Sequence, residues 1–209
     1  MAKLLIYYAH PGQSHSRVNT KMAKIAKQER GDSFVDLYAQ YPRFQIDIVK
    51  EQQRLVDHDV ILFQFPIFWY STPSIIKEWQ DLVLQQGFAF GTDGDQLANK
   101  TLMLAMTAGG PEDAYSQGGY QNHTLRTFLT PFEQTATLCN MQFTSPYVLY
   151  DSLQAPGSGE ADLHIRAYQH LIRAIENDSY DFNAAGNLDT VSHTDINTLG
   201  GQTMENTHG

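Results

Sequence analysis

Apolar residues recur along the chain in two alternating patterns, short unbroken runs and helically spaced stripes. Residues 3–9 (Lys-Leu-Leu-Ile-Tyr-Tyr-Ala) show no polar alternation and predict a strand buried on both faces, which His10-Pro11-Gly12 stops. Ser16 then suits a helix N-cap, with Val18, Met22, Ile25 and Ala26 on one face and Lys21, Lys24, Lys27 and Arg30 on the other. Gly31-Asp32 breaks this helix, and 33–37 reads as a short second strand followed by an aromatic loop from Tyr38 to Phe44. Asp47 predicts a cap for a helix carrying Ile48, Leu55 and Val56, with Gln52 a polar exception.

The run Val60–Phe65, closed by Pro66, is the strongest strand in the chain. A loop at 67–70 leads to a helix capped by Ser71 or Thr72, with Pro73 at its first position and a stripe of Ile75, Ile76, Trp79, Leu82 and Val83. Past a Gly/Asp-rich excursion at 87–95, Thr101–Thr107 is a further buried strand and Leu125, Phe128, Leu129 and Phe132 form a helix that Pro131 kinks or divides. The last strand spans 141–150, bent at Pro146, and Leu163, Ala167, Leu171, Ala174 and Ile175 mark the last helix. Five strands alternating with five helices predict an α/β, doubly wound parallel sheet with helices on both faces. Right-handed crossovers favour the strand order 2-1-3-4-5.

This organisation occupies residues 1–177. Residues 178–209 are polar, lack periodicity and hold five acids (Asp178, Asp181, Asp189, Asp195, Glu205) with no Lys or Arg, so they read as a solvated or disordered extension, or as a contact for a partner. The net charge of −9 argues against nucleic acid as a partner, because polyanion binding needs Lys and Arg to neutralise phosphates. A single cysteine, Cys139, excludes an internal disulfide and fits a reducing compartment. No signal peptide or transmembrane run is visible, which points to a cytoplasmic protein.

In such a sheet the loops after strands 1, 3 and 4 converge at the carboxyl edge, and the unusual residues lie there. Loop 1 offers His10, Ser16, Arg17 and Asn19; loop 3 offers Phe68, Trp69 and Tyr70; loop 4 offers Thr107, Gly109, Gly110 and Tyr115. Taken singly, each has a plainer role as a cap, a core edge or a turn. Together they describe a phosphate cradle at a helix N-terminus, an aromatic wall and a Gly-Gly floor, which suit FMN, with room for the adenine extension of FAD. Phosphate-loop, G-x-G-x-x-G and metal-ligand spacings are absent.

The chain also resembles a known family. Tyr-Ala-His-Pro with Ser16-x-x-Asn19, Pro66-x-x-Trp-Tyr-Ser-x-Pro followed by Lys77-x-Trp79, Gly-Phe-Ala-Phe-Gly at 87–91 and Thr107-x-Gly-Gly110 are similar to the flavodoxin-like NAD(P)H:quinone oxidoreductases. The stretch Asp36 to Ile48, with Pro131-Phe-Glu and Cys139-x-Met, is similar to the ancillary proteins of glutathione-gated potassium efflux systems. The likeness covers about residues 3–176. It implies a homodimer with flavin at the subunit interface, ping-pong hydride transfer from NAD(P)H to quinone, and docking on a membrane efflux protein at the inner face of the membrane. It also implies that His10 and Ser16, Arg17, Val18 and Asn19 hold phosphate and ribityl chain. Ile67, Phe68, Trp69 and Tyr70 would line the ring, and Thr107, Ala108, Gly109 and Gly110 would bond its polar edge.

Tyr115 falls where those reductases place a tyrosine that stabilises charge on the reduced flavin. Their histidine six residues later is here Gln121, with His123 two further on. Gln cannot exchange a proton near neutral pH, so His123 substitutes, water does, or turnover is weak. A weak enzyme that chiefly regulates an efflux protein, or a flavodoxin-like electron carrier, are the competing expectations.

Overall fold

The computed structural model describes residues 1–201 of the 209. Five strand positions form one parallel sheet in the order β2-β1-β3-β4-β5, as the crossover rule predicts. They are β1 (Leu4–Tyr8), β2 (Phe34–Asp36), β3 (Val60–Pro66), β4 (Thr101–Thr107) and, in the fifth position, β5 (Gln142–Phe143) and β6 (Tyr147–Leu149), both paired to β4. Pro146 splits that last position because it has no N–H to give the ladder.

Successive side chains of a strand point to opposite faces, so each apolar run feeds two cores. Leu5 and Tyr7 join Leu55, Ile76 and Trp79 on one face, whereas Leu4 and Ile6 join Met22, Ala26, Leu171 and Ile175 on the other. The first face is covered by α2 (Leu37–Gln40), α3 (Ile48–Val56), α4 (Ser74–Val83), α5 (Leu125–Phe128) and α6 (Thr130–Leu138); the sequence stripe at 125–132 is indeed divided ahead of Pro131. The second face is covered by α1 (Asn19–Arg30) and α8 (Glu160–Glu176), the latter led in by the single turn α7 (Ala155–Ser158). No described helix is long and apolar enough to cross a membrane.

The structure differs from the sequence expectation at several ends. Asp47 caps α3 as expected, its Oδ1 accepting from the Lys50 N–H at 3.1 Å. Neither Ser71 nor Thr72 caps α4, which begins at Ser74 with Pro73 extended in the cap position. The aromatic loop at 38–44 opens with the helical turn α2, because Asp36 Oδ1 accepts from the Ala39 N–H at 3.2 Å. Ser16 is not the N-cap of α1, which starts three residues later behind Val18.

The largest correction concerns residues 178–201. They are not a solvated extension: Tyr180, Ala185, Val191, Ile196 and Leu199 are buried in the core of the second face, around the turns α9 (Phe182–Gly186) and α10 (Ile196–Leu199). The Val191 N–H donates to Pro146 O at 2.8 Å and its carbonyl accepts from the Val148 N–H at 2.9 Å, so the segment closes the open edge of β6. Its apolar residues escape a periodicity search because they follow neither a helical nor a strand spacing. The part of the extension at 202–209 lies outside the described residues.

Candidate functional site

Loop 1 leaves β1 at Ala9, whose N–H still reaches Gln64 O on β3 at 3.0 Å. The next residue, His10, is buried, and its Nδ1 accepts from the Gly12 N–H at 3.2 Å. That bond puts the ring proton on Nε2, and burial lowers the pKa, so His10 is a neutral donor near pH 7. Ser16 Oγ accepts from the Thr20 N–H at 3.2 Å while the Thr20 hydroxyl donates back to Ser16 O at 2.9 Å. The serine thus organises the entry to α1 from two residues before Val18, where no side chain caps the helix.

A cleft of about 470 Å³ opens at this end of the helix. Loop 1 lines it with His10, Ser16, Arg17, Val18 and Asn19, the end of β3 with Pro66 and Phe68, and the end of β4 with Thr107. Loop 1, Phe68 of loop 3 and Thr107 at the end of β4 therefore border one cavity. Asn19 joins two of them, because its Nδ2 donates to Thr107 Oγ1 at 2.7 Å. Its carbonyl is held by Gln64 Nε2 at 2.9 Å, and Gln64 is held in turn by the Tyr168 hydroxyl at 3.1 Å. Asn19 Oδ1 is buried and accepts nothing among the described residues.

Loop 3 spreads its residues over four environments. The Phe68 and Ser71 backbones bond to each other in both directions, at 2.9 and 3.0 Å, with Trp69 and Tyr70 between them at φ of 48° and 64°. Both central residues of this hairpin sit in the left-handed region, which Asn and Gly occupy without strain and aromatic residues do not. Phe68 meets the His10 ring edge-on at 5.8 Å in the cleft, while Trp69 is 92% exposed. Tyr70 packs on Phe128 at 4.9 Å. Ile67 faces a second hollow, an apolar groove of about 440 Å³ between α4 and α6.

Loop 4 is stapled to the turn after β6. The Ala108 N–H donates to Leu149 O at 2.8 Å, Ser152 N–H to Ala108 O at 3.0 Å, and Asp151 N–H to Gly110 O at 2.8 Å. A Cβ at Gly109 would meet nothing within 4 Å, whereas one at Gly110 would lie 3.3 Å from Tyr115 Cε2. The Tyr115 ring therefore lies on Gly110. Burial raises its pKa, which a hydrogen bond from the Gly110 backbone only partly offsets, so the phenol stays protonated. Phe128 is a hub: its ring lies 6.4 Å from that of Tyr115 and 5.8 Å from that of His123, both edge-on. Gln121 is half-buried, its N–H donating to Ala114 O at 3.1 Å.

Gly109, Gly110, Trp69 and Tyr70 do not line the cleft itself, and Tyr115, Gln121 and His123 stand beside it around Phe128. The sequence reading missed Ser152 and Leu153, which line the cleft from the turn after β6, because it considered only loops 1, 3 and 4. Phe128 shows only helical spacing in the sequence. Gln64 carried a visible signal, a lone amide inside an unbroken apolar strand.

The family model described as Flavodoxin-like fold matches residues 2–172. The chain is 45% identical over 171 residues to the glutathione-regulated potassium-efflux system ancillary protein KefG of Cronobacter sakazakii (strain ATCC BAA-894), covering 82% of this chain and 92% of that one. It is 42% identical over 151 residues to the uncharacterized NAD(P)H oxidoreductase YrkL of Bacillus subtilis (strain 168), covering 72% and 87%. Among solved structures it is similar to the general stress protein 14 of Treponema denticola in complex with FMN, with a TM-score of 0.76 and 34% identity over 83% of this chain and 99% of that chain.

Proposed function

The chain belongs to the flavodoxin-like fold family, and from that premise we propose that it is an FMN-dependent NAD(P)H:quinone oxidoreductase. The observation that carries the proposal is the cleft where loop 1, Phe68 and the β4 terminus at Thr107 meet beside the uncapped end of α1, with the buried acceptor Asn19 Oδ1 unpartnered among the described residues. Support comes also from the FMN complex of the Treponema denticola relative and from the NAD(P)H oxidoreductase of Bacillus subtilis.

In this reading Ser16, Arg17 and Val18 receive the phosphate, to which the helix end and the Arg17 cation are complementary. Asn19 Oδ1 accepts from a ribityl hydroxyl, and the neutral His10 donates from Nε2. Phe68 shields the ring from the cleft wall, and the Gly109–Gly110 backbone just past Thr107 approaches its polar edge. When bound, FMN supplies a two-electron couple, so a hydride arrives from NAD(P)H in one half-reaction and a quinone leaves as hydroquinone in the next. Tyr115, kept protonated, donates a hydrogen bond to developing negative charge, and His123, which packs on Phe128 as Tyr115 does, brings an imidazole to the place that Gln121 leaves without one.

A homodimer suits the same picture. Trp69 is held outward by a strained turn, next to an apolar groove lined by Ile67, Phe90, Phe128 and Leu138, and a second copy would cover both. The KefG likeness supports a role beside a potassium efflux protein, and with Gln121 in place of the expected histidine it favours a second reading in which the flavoprotein chiefly regulates that partner. The test is an absorption spectrum of the purified protein, the released cofactor weighed, and NAD(P)H oxidation followed with benzoquinone. Protein that stays colourless with FMN and FAD and oxidises nothing removes the proposal. Bound flavin with negligible turnover selects the regulatory reading.

A further inference from the structure

Gln64 is the one polar residue among the seven of β3, and it is fully buried. An apolar side chain would fill that place without desolvating an amide, so the amide is tolerable only if both its ends are paired. They are: its Nε2 donates to Asn19 O at 2.9 Å, and its Oε1 accepts from the Tyr168 hydroxyl at 3.1 Å. A carbonyl oxygen can only accept, so the NH2 end must face Asn19 and the other end must face a donor. Tyr168 supplies that donor from α8 and is itself fully buried.

The same residue also acts through its backbone, because Gln64 O accepts from the Ala9 N–H at 3.0 Å. Ala9 is where loop 1 leaves β1, and Asn19 is where it returns as the first residue of α1. One position on β3 therefore holds both ends of loop 1. The backbone bond survives any side chain at 64, so only the returning end depends on the amide. Without the amide, the first turn of α1 keeps, among the described residues, only the hydrogen bond of Asn19 Nδ2 to Thr107 Oγ1 to tie it to the sheet.

We propose that Gln64, locked by Tyr168, is a positioning residue for loop 1: it sets where the loop returns, and with it the placement of Ser16, Arg17 and Val18 for an anion. The inference rests on the FMN reading for the identity of that anion, a flavin phosphate, but not for the clamp itself. The informative change is Gln64→Met, which keeps the length and bulk of the side chain and deletes both of its hydrogen bonds.

The full-length protein is labelled with 15N, and the Asn19 side-chain amide is assigned with Asn19→Ala. In the flavin-free protein, Gln64→Met speeds exchange of the Asn19 Nδ2 protons with solvent about tenfold, and Tyr168→Phe moves it the same way by less. In fluorescence titrations, Gln64→Met lowers affinity for FMN about tenfold and affinity for riboflavin, which carries no phosphate, at most about twofold. A general loss of packing would weaken both flavins alike. Unchanged exchange, or equal losses for the two flavins, overturns the proposal. If Gln64→Met does not fold, Tyr168→Phe decides by the same two readings. A wild-type protein that takes up no flavin refutes the FMN reading, while the exchange rate still decides whether Gln64 governs the return of loop 1.

Discussion

The side-chain amide of Asn19 donates to Thr107 Oγ1 across 2.7 Å, tying the first turn of α1 to the end of β4 beneath the cleft. Asn19→Ala leaves the Thr107 hydroxyl without that donor and removes the free Oδ1 that a ribityl hydroxyl would meet. A lost buried hydrogen bond of this kind costs about 1–3 kcal/mol, so flavin affinity should fall between roughly fivefold and 150-fold. Fluorescence titration of the apoprotein with FMN measures it; undiminished affinity would separate Asn19 from the ligand.

The two glycines of loop 4 should respond differently. Gly109→Ala adds a methyl where nothing lies within 4 Å, so the fold is untouched and any loss of flavin binding reports a contact with the ligand. Gly110→Val pushes against Tyr115 Cε2 and should lower both flavin content and turnover. Thermal melts of the apoproteins, set beside flavin content, check the contrast.

The hairpin at Trp69-Tyr70 holds two aromatic residues at positive φ. Replacing the pair by Asn-Gly suits the turn and should stabilise the flavin-free protein by about 1–3 kcal/mol, while removing the exposed ring lowers flavin affinity and dimer formation. Urea unfolding and sedimentation of the same variant test the two halves. A variant no more stable than wild type would show that the turn carries no strain.

His164 gives a signed dependence on pH. It is fully buried with neither ring nitrogen bonded among the described residues, stacked on Tyr147 at 4.1 Å, and burial pushes its pKa from 6.5 down to about 3. The unfolded chain takes up that proton near pH 6.5 and the folded chain only near 3. Stability is therefore intact above 6.5 and falls as pH drops between the two values, by about 1.4 kcal/mol per unit, or about 2 kcal/mol at pH 5. Denaturant unfolding at pH 7 and 5 measures the loss, and His164→Phe should flatten it. An equal slope in both proteins would assign the acid lability elsewhere.

How much of this was legible in the sequence can be judged from particular residues. The runs at 3–9, 60–65 and 101–107 announce strands buried on both faces, and with handed crossovers they favour the sheet order that the structure has. His10, Ser16, Phe68 and Thr107 stand at strand or helix ends, where local chemistry marks them, and all four line the cleft. The extension at 178–201 was not legible, because its buried residues have no regular spacing to betray them.

Glu51 draws the boundary between the two kinds of information. A lone acid on a nine-residue helix reads as a solvated side chain, yet here it is fully buried. It accepts from the hydroxyls of Tyr7 at 2.6 Å and Tyr41 at 2.5 Å and from Trp79 Nε1 at 3.1 Å, and it pairs with Arg54. Arg54 stands one turn on along the same helix, but Tyr7, Tyr41 and Trp79 lie on β1, after α2 and on α4, and no spacing along the chain relates them to Glu51. The sequence by itself determined where the main strands and helices lie and which loop ends carry unusual chemistry, and it favoured the strand order, because those follow from periodicity, caps and chirality within short windows. Tertiary structure alone decided which polar groups satisfy one another inside, that Tyr115 leans on Gly110 and Tyr150, and that the extension is core, because burial and hydrogen bonding depend on residues brought together from distant parts of the chain.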